Sequence, residues 1–176
     1  MEDGYRGVVG AIPFAFGQSD SYLFKSYAVV GTLVAAFIGT LFVLGVIVLL
    51  GQTGGRAGTL SFSRSFVLLV GVLLVAPLLA PTLLVARRHR RGTGHDRRYD
   101  AAMAASGYLF LLAVYAGGVA SMPECFLLDG ETVCRPPPEG LTAPVVATLY
   151  AVPQLLSPVF PLVAALLIGV FHRLFR

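Results

Sequence analysis

The sequence predicts an all-α membrane protein of four transmembrane helices, the fourth kinked or broken by proline, with a small disulfide-closed hairpin outside the membrane between helices three and four. Composition is the first observation behind this: 56% of the 176 residues are hydrophobic and only 12% charged, with a mean hydropathy of +0.80, far from an ordinary soluble domain. Patterning is the second. The apolar residues gather in four blocks, Tyr27 to Leu50, Phe66 to Ala86, Ala101 to Met122 and Ala143 to Phe171, each reaching the ~20 residues a helix needs to cross ~30 Å of hydrocarbon. The third is a basic cluster between blocks two and three, Arg87, Arg88, Arg90 and Arg91 followed by Arg97 and Arg98.

The blocks divide the chain into an interfacial N-terminal segment (1–26), span one (27–50), an external loop (51–65) and span two (66–86). An Arg-rich cytoplasmic loop (87–100), span three (101–122), an external loop with the hairpin (123–142), span four (143–171) and a short tail (172–176) follow. The arginines set the orientation. With their loop inside, Arg6, Lys25, Arg173 and Arg176 join the six loop arginines on the cytoplasmic side and only Arg56, Arg64 and Arg135 remain outside. The positive-inside rule therefore places both termini in the cytoplasm of a multi-pass cell-membrane protein. The same arginines complement a helix C-terminus and anionic lipid headgroups. Nucleic acid is not expected as a partner, since the cluster has no interleaved aromatic platform for bases.

The N-terminal segment carries a short apolar run, Val8 to Phe16, interrupted by Pro13 and read as interfacial or re-entrant. Ser19-Asp20-Ser21 then supplies good N-cap types before span one. The start, Met1-Glu2-Asp3, lacks the basic n-region of a signal peptide, so span one is expected to act as its own insertion signal. Within span one, Gly31, Ala35 and Gly39 recur every four residues, a small-residue stripe that lets another helix approach. The Gly-rich loop 51–65 lacks the lysine of a phosphate-binding loop. Span two contains Pro77 and Pro81 and is expected to bend. Span three repeats the small stripe at Ala113, Gly117 and Ser121, and Asp96 or Asp100 is expected to cap its N-terminus.

The two cysteines give the sharpest local expectation. Asp129-Gly130 lies midway between Cys125 and Cys134, and this dipeptide favours a two-residue hairpin turn. Counting outward pairs Leu128 with Glu131, Leu127 with Thr132, Phe126 with Val133 and Cys125 with Cys134. Opposed residues in such a ladder lie ~4.5 to 5.5 Å apart at Cα, within disulfide range, and an outside location favours oxidation.

Span four holds Pro144, Pro153, Pro158 and Pro161 in a block that would measure ~44 Å as one helix. An outer helix from about Pro144 to Leu156, a break at Ser157-Pro158 and an inner half ending at His172-Arg173 are expected. Tyr150, Gln154 and Ser157 bring polar atoms to the break. They read either as a polar site at broken helix ends or as partners for neighbouring helices and freed backbone.

No residue is nominated as catalytic, cofactor-binding or metal-ligating, no cofactor is expected, and an enzyme is not the expected class. The blocks hold no Asp, Glu, Lys or Arg inside them, so the usual marks of proton relays and ion pathways are missing. His89, His95 and His172 fall on the opposite side from the cysteines, with no pair at ligand spacing.

The run Gly10-Ala-Ile-Pro-Phe-Ala-Phe-Gly-Gln-Ser-Asp-Ser, the segment Ala76-Pro-Leu-Leu-Ala-Pro-Thr-Leu-Leu-Val-Ala-Arg-Arg-His-Arg-Arg and the closing Phe171-His-Arg-Leu-Phe-Arg resemble an uncharacterised family of small multi-pass membrane proteins from halophilic archaea. The resemblance spans most of the chain and implies location and architecture, without site residues. The expected role is a scaffold, assembly or accessory subunit with the bilayer, a second copy or another membrane protein as partner. The alternative is a transporter or channel component built on the broken fourth span.

Overall fold

A computed structural model of the full chain describes residues 7–53, 65, 69–92, 96–128 and 130–175. The chain is largely helical. Its elements are α1 (Gly7–Gln18), α2 (Tyr22–Thr53), a π-helical stretch (Gly71–Val75) continuing into α3 (Ala76–Arg90), α4 (Arg97–Ala120), strands β1 (Cys125–Leu128) and β2 (Glu131–Cys134), α5 (Ala143–Tyr150), a 3-10 turn (Gln154–Leu156) and α6 (Val159–Leu174). Among the described residues, four helical segments are long and apolar enough to cross a membrane: Tyr22–Gln52, Gly71–Arg90, Arg97–Ala120 and Gln154–Leu174. Gly54, Gly55 and Gly58 of the glycine-rich loop, and His95, lie outside the described residues.

The chain forms two compact units, one of residues 1–108 and 167–176, the other of residues 109–166. In the first, the N-terminal segment is a 12-residue helix that tolerates Pro13 inside it and packs against α3 and α2. Its contact face is Ala11 and Ala15, both fully buried. Small side chains here let the helix lie close on α3. Ser21 caps α2, its Oγ accepting from the Phe24 backbone N–H at 3.3 Å, as the Ser-Asp-Ser sequence predicts. Phe24 and Tyr27 of α2, Leu78 and Val85 of α3, and Tyr99 and Met103 of α4 fill the core.

Two glycines show how tightly this unit closes. A Cβ added at Gly107 would stand 2.2 Å from Tyr27 Cζ, so only glycine admits the ring whose hydroxyl donates to the Leu78 carbonyl at 2.6 Å. Gly31 is buried, with Tyr27 3.2 Å from its missing Cβ, and Ala35 is 7% exposed. Those two members of the α2 stripe are thus used inside the chain, while Gly39 has open space around it.

Span two is π-helical where it meets its first proline. The Ala76 N–H donates to Gly71 O, five residues back, just before Pro77 removes a donor from the ladder, and α3 then continues through Pro81. α3 also runs further than the apolar block, so Arg87, Arg88 and Arg90 belong to its last turn instead of to a loop. Positive side chains favour a helix C-terminus electrostatically, so the basic cluster extends the helix it was expected to end.

The second unit contains the hairpin. Its register pairs Cys125 with Cys134, Phe126 with Val133, Leu127 with Thr132 and Leu128 with Glu131, as the spacing predicts, and Gly130 in the turn has φ +88°, which glycine adopts without strain. The disulfide forms, with Cα atoms 3.9 Å apart. The Arg135 N–H donates to Glu124 O, which makes the neighbouring cysteines a non-hydrogen-bonded pair, the closer kind in an antiparallel ladder.

The last apolar block departs from its expected layout. α5 ends at Tyr150 instead of reaching Leu156, and the break falls at Ala151 to Pro153, where Pro153 takes ψ 134°. Pro153 lacks the N–H that would bond Leu149 O, and it disfavours helix at Val152. A 3-10 turn at Gln154–Leu156 leads into α-helix at Val159, and the span-length segment starts at Gln154. On α4, Gly117 receives this bend: its missing Cβ would lie 2.9 Å from Ser157 O and 3.2 Å from Pro161 Cδ.

Candidate functional site

Each unit gathers polar side chains in one place. In the first, Asp100, in the first turn of α4, is 2% exposed. Its Oδ2 accepts from Ser19 Oγ at 2.6 Å and lies 3.0 Å from His89 Nε2, with Oδ1 3.2 Å from the same nitrogen. The side chains of His89 and Asp100 are each 2% exposed. One carboxylate therefore joins the α1–α2 junction, the end of α3 and the start of α4. The contact is an ion pair when the imidazole is protonated and a hydrogen bond when it is neutral.

The capping role expected of Asp96 or Asp100 falls to Asp96, whose Oδ1 accepts the Arg98 N–H at 2.9 Å. Asp100 is thereby free of the helix end and serves the tertiary contact. Chemically, the carboxylate stands between serine and histidine. A hydrolytic triad needs the imidazole beside the hydroxyl to take its proton, and here the Ser19 hydroxyl bonds to the carboxylate instead. The cluster is a clasp.

Beside it, the Arg88 guanidinium lies 4.1 Å from the Tyr99 ring centroid and donates from Nη1 to Phe175 O at 2.9 Å. The Tyr99 hydroxyl is 2.7 Å from His172 Nδ1. These contacts fasten the last turns of α6 to α3 and α4 by a stacked cation and a tyrosine–histidine bond. Arg88 therefore has a specific structural partner set, unlike a plain topology marker, and its distance to Asp96 is a loose 3.9 Å.

In the second unit, a cavity of about 320 Å³ lies where the chain breaks after α5. It is lined by Glu124 and Arg135 from the strand flanks and by Tyr150, Val152 and Gln154 from the break, among others. Arg135 stacks on Tyr150, 3.9 Å from the ring centroid. Its Nη1 donates to Met122 O at 2.9 Å, and Nη2 stands 3.7 Å from Glu124 Oε1, too far for a hydrogen bond. A second cavity, about 370 Å³ and apolar, is lined by Val152, Leu156, Val159, Phe160 and Val163. Val152 lines both.

Of the three polar residues expected at the break, Tyr150 and Gln154 meet on the first cavity. Ser157 does not; it is 7% exposed, its N–H donates to Gln154 O, and its carbonyl faces Gly117. Arg135 was missed because its sequence context reads only as a loop residue after Cys134. Among the described residues, no three His, Cys, Asp or Glu side chains are grouped to hold a metal ion.

The chain belongs to the family described as a domain of unknown function, DUF8056, whose model matches residues 1–176. No curated protein and no solved structure gave a match.

Proposed function

We propose that this protein is a multi-pass component of the cell membrane, with both termini cytoplasmic, that serves as a scaffold, assembly or accessory subunit for other membrane proteins. The observation that carries the reading is α2. Its candidate span covers 31 residues with a mean hydropathy of 2.9 over its most apolar window, of which only 6% is buried inside the chain. Beyond Ala35 its large side chains, Phe37, Leu41, Leu44 and Ile47 among them, are exposed. Such a helix is solvated by lipid or by another helix, and close approach in a bilayer is favoured at small residues. Gly39, with open space at its Cβ position, marks the approach point. The resemblance to small multi-pass proteins of halophilic archaea supports the same location.

The test is in-cell crosslinking of the full chain followed by mass spectrometry. One partner, a second copy or another membrane protein, is expected, and Gly39→Leu should remove it while the amount in the membrane fraction is unchanged. A monomer with no crosslinked partner overturns the scaffold role.

The interrupted fourth span favours a second reading, as a transporter or channel component, because broken helices expose helix ends and carbonyls to a substrate. Under that reading Gln154→Ala lowers solute flux at constant abundance.

A further inference from the structure

We infer that the cavity beside Arg135, together with the apolar cavity it adjoins at Val152, is a seat for one anionic phospholipid of the outer leaflet. The inference rests on the membrane location proposed above and adds a ligand to it. Headgroup and chain each have a place. The Arg135 guanidinium spends one N–H on Met122 O and one face on Tyr150, and among the described residues its other N–H groups have no acceptor within bonding distance. Its neighbour Glu124 is 87% exposed and stands 3.7 Å away, so water screens that charge. A lipid phosphate entering the cavity meets a guanidinium already oriented by a carbonyl and an aromatic ring, the arrangement that makes arginine a strong phosphate binder.

Gln154 and Tyr150 line the same cavity, and neither the Gln154 amide nor the Tyr150 hydroxyl has a hydrogen bond to any described residue. They offer donors to the phosphate or to a polyol headgroup. From Val152 onward the lining changes abruptly to Leu156, Val159, Phe160 and Val163, a groove one acyl chain can follow along α6. A soluble anion would use only the first cavity. The juxtaposition of a polar cavity that presents a guanidinium with a purely apolar one is the pattern of an amphiphile. Leaving bulk lipid for this groove gains the chain little, because lipid tails are as apolar as the side chains lining it. Selectivity therefore resides in the headgroup contact, and the groove sets where the lipid stands.

The full-length protein, extracted from carbonate-washed membranes into detergent with equal phosphatidylglycerol and phosphatidylcholine, is examined by native mass spectrometry. One phosphatidylglycerol is expected to be retained in preference. Arg135→Gln should cut that retention by about tenfold or more, the loss of one charge-assisted hydrogen bond, and Arg135→Lys should restore part of it. Val159→Trp, which fills the groove, should weaken lipid retention and leave glycerol phosphate competition unchanged. Equal retention of both lipids, or unchanged retention by Arg135→Gln with its disulfide intact, overturns the seat. Displacement by glycerol phosphate alone at matched concentration, with Val159→Trp neutral, overturns it in favour of a soluble anion. Recovery of the chain outside the membrane fraction overturns the membrane location itself, a different failure from any of these.

Discussion

In the first unit Asp100 holds its carboxylate inside the fold at 2% exposure, between Ser19 and His89. In the second, Glu124 leaves its own 87% exposed, 3.7 Å from Arg135. Both units pair an acid with a base, but burial separates what the pairs do. A desolvated carboxylate must be satisfied by fixed partners, so the Asp100 clasp specifies how α1, α2, α3 and α4 meet and is closed to a ligand from solvent. A screened pair contributes little to stability, and Arg135 keeps bonding capacity that a ligand can use. The same residue types thus become a fastening in one place and an opening in the other.

The sharpest way to break this contrast is Asp100→Ala. It removes the carboxylate that His89 and Ser19 share in a buried place and should cost about 3–5 kcal/mol, the loss of two buried hydrogen bonds to a charged group. Thermal unfolding of the detergent-solubilised protein reads this, and a loss below ~1 kcal/mol would refute the clasp as a structural fastening.

Replacing both cysteines by serine comes next, at about 2–3 kcal/mol for a loop this short. Hydrogen exchange should rise in 125–134 and its flanks and stay unchanged in α1 and α3. Uniform loosening would contradict the division into two units.

Gly107→Ala should cost roughly 1–3 kcal/mol through overpacking against Tyr27. Tyr27→Ala in the same chain should recover part of the loss, and strict additivity of the two changes would show that they do not touch.

Smallest is Arg135→Gln, expected to change stability by less than ~1 kcal/mol because its acidic partner Glu124 is solvated and stands 3.7 Å away. If unfolding shifts as much as for Asp100→Ala, Arg135 is a structural group and the contrast collapses.

Much of the architecture is legible in the residues. Four apolar blocks of sufficient length translate into four helical segments able to cross a membrane, because in such a chain backbone satisfaction leaves little but helix. The hairpin is legible because Asp-Gly fixes a two-residue turn and period two fixes every pair after it. The clasp is not. Ser19 and Asp100 are 81 positions apart, and an aspartate near a helix start reads equally as a cap, the role Asp96 takes here.

Spacing also pointed to Ala113, Gly117 and Ser121 without distinguishing Gly117, which meets Ser157 O. It passed over Gly107, whose need for a bare Cα comes from a tyrosine 80 positions away. The break in the last apolar block was anticipated from its prolines, but its position was not: any of several prolines could end α5, and Pro153 does so by leaving helical ψ. Arg135 carried no signal, since its aromatic partner Tyr150 is brought to it only by the turn between β2 and α5.

The hairpin's one-to-one register also governs which length changes this region can absorb. Facing sides alternate along each strand, so one extra residue between Cys125 and Leu128 sends Cys125 and Cys134 to opposite faces of the ribbon. An insertion between Leu128 and Glu131 leaves the parity of both arms untouched. Length variation in this loop is therefore constrained by place: single residues are absorbed at the tip, whereas the arms keep Cys125 opposite Cys134 only when both gain the same number.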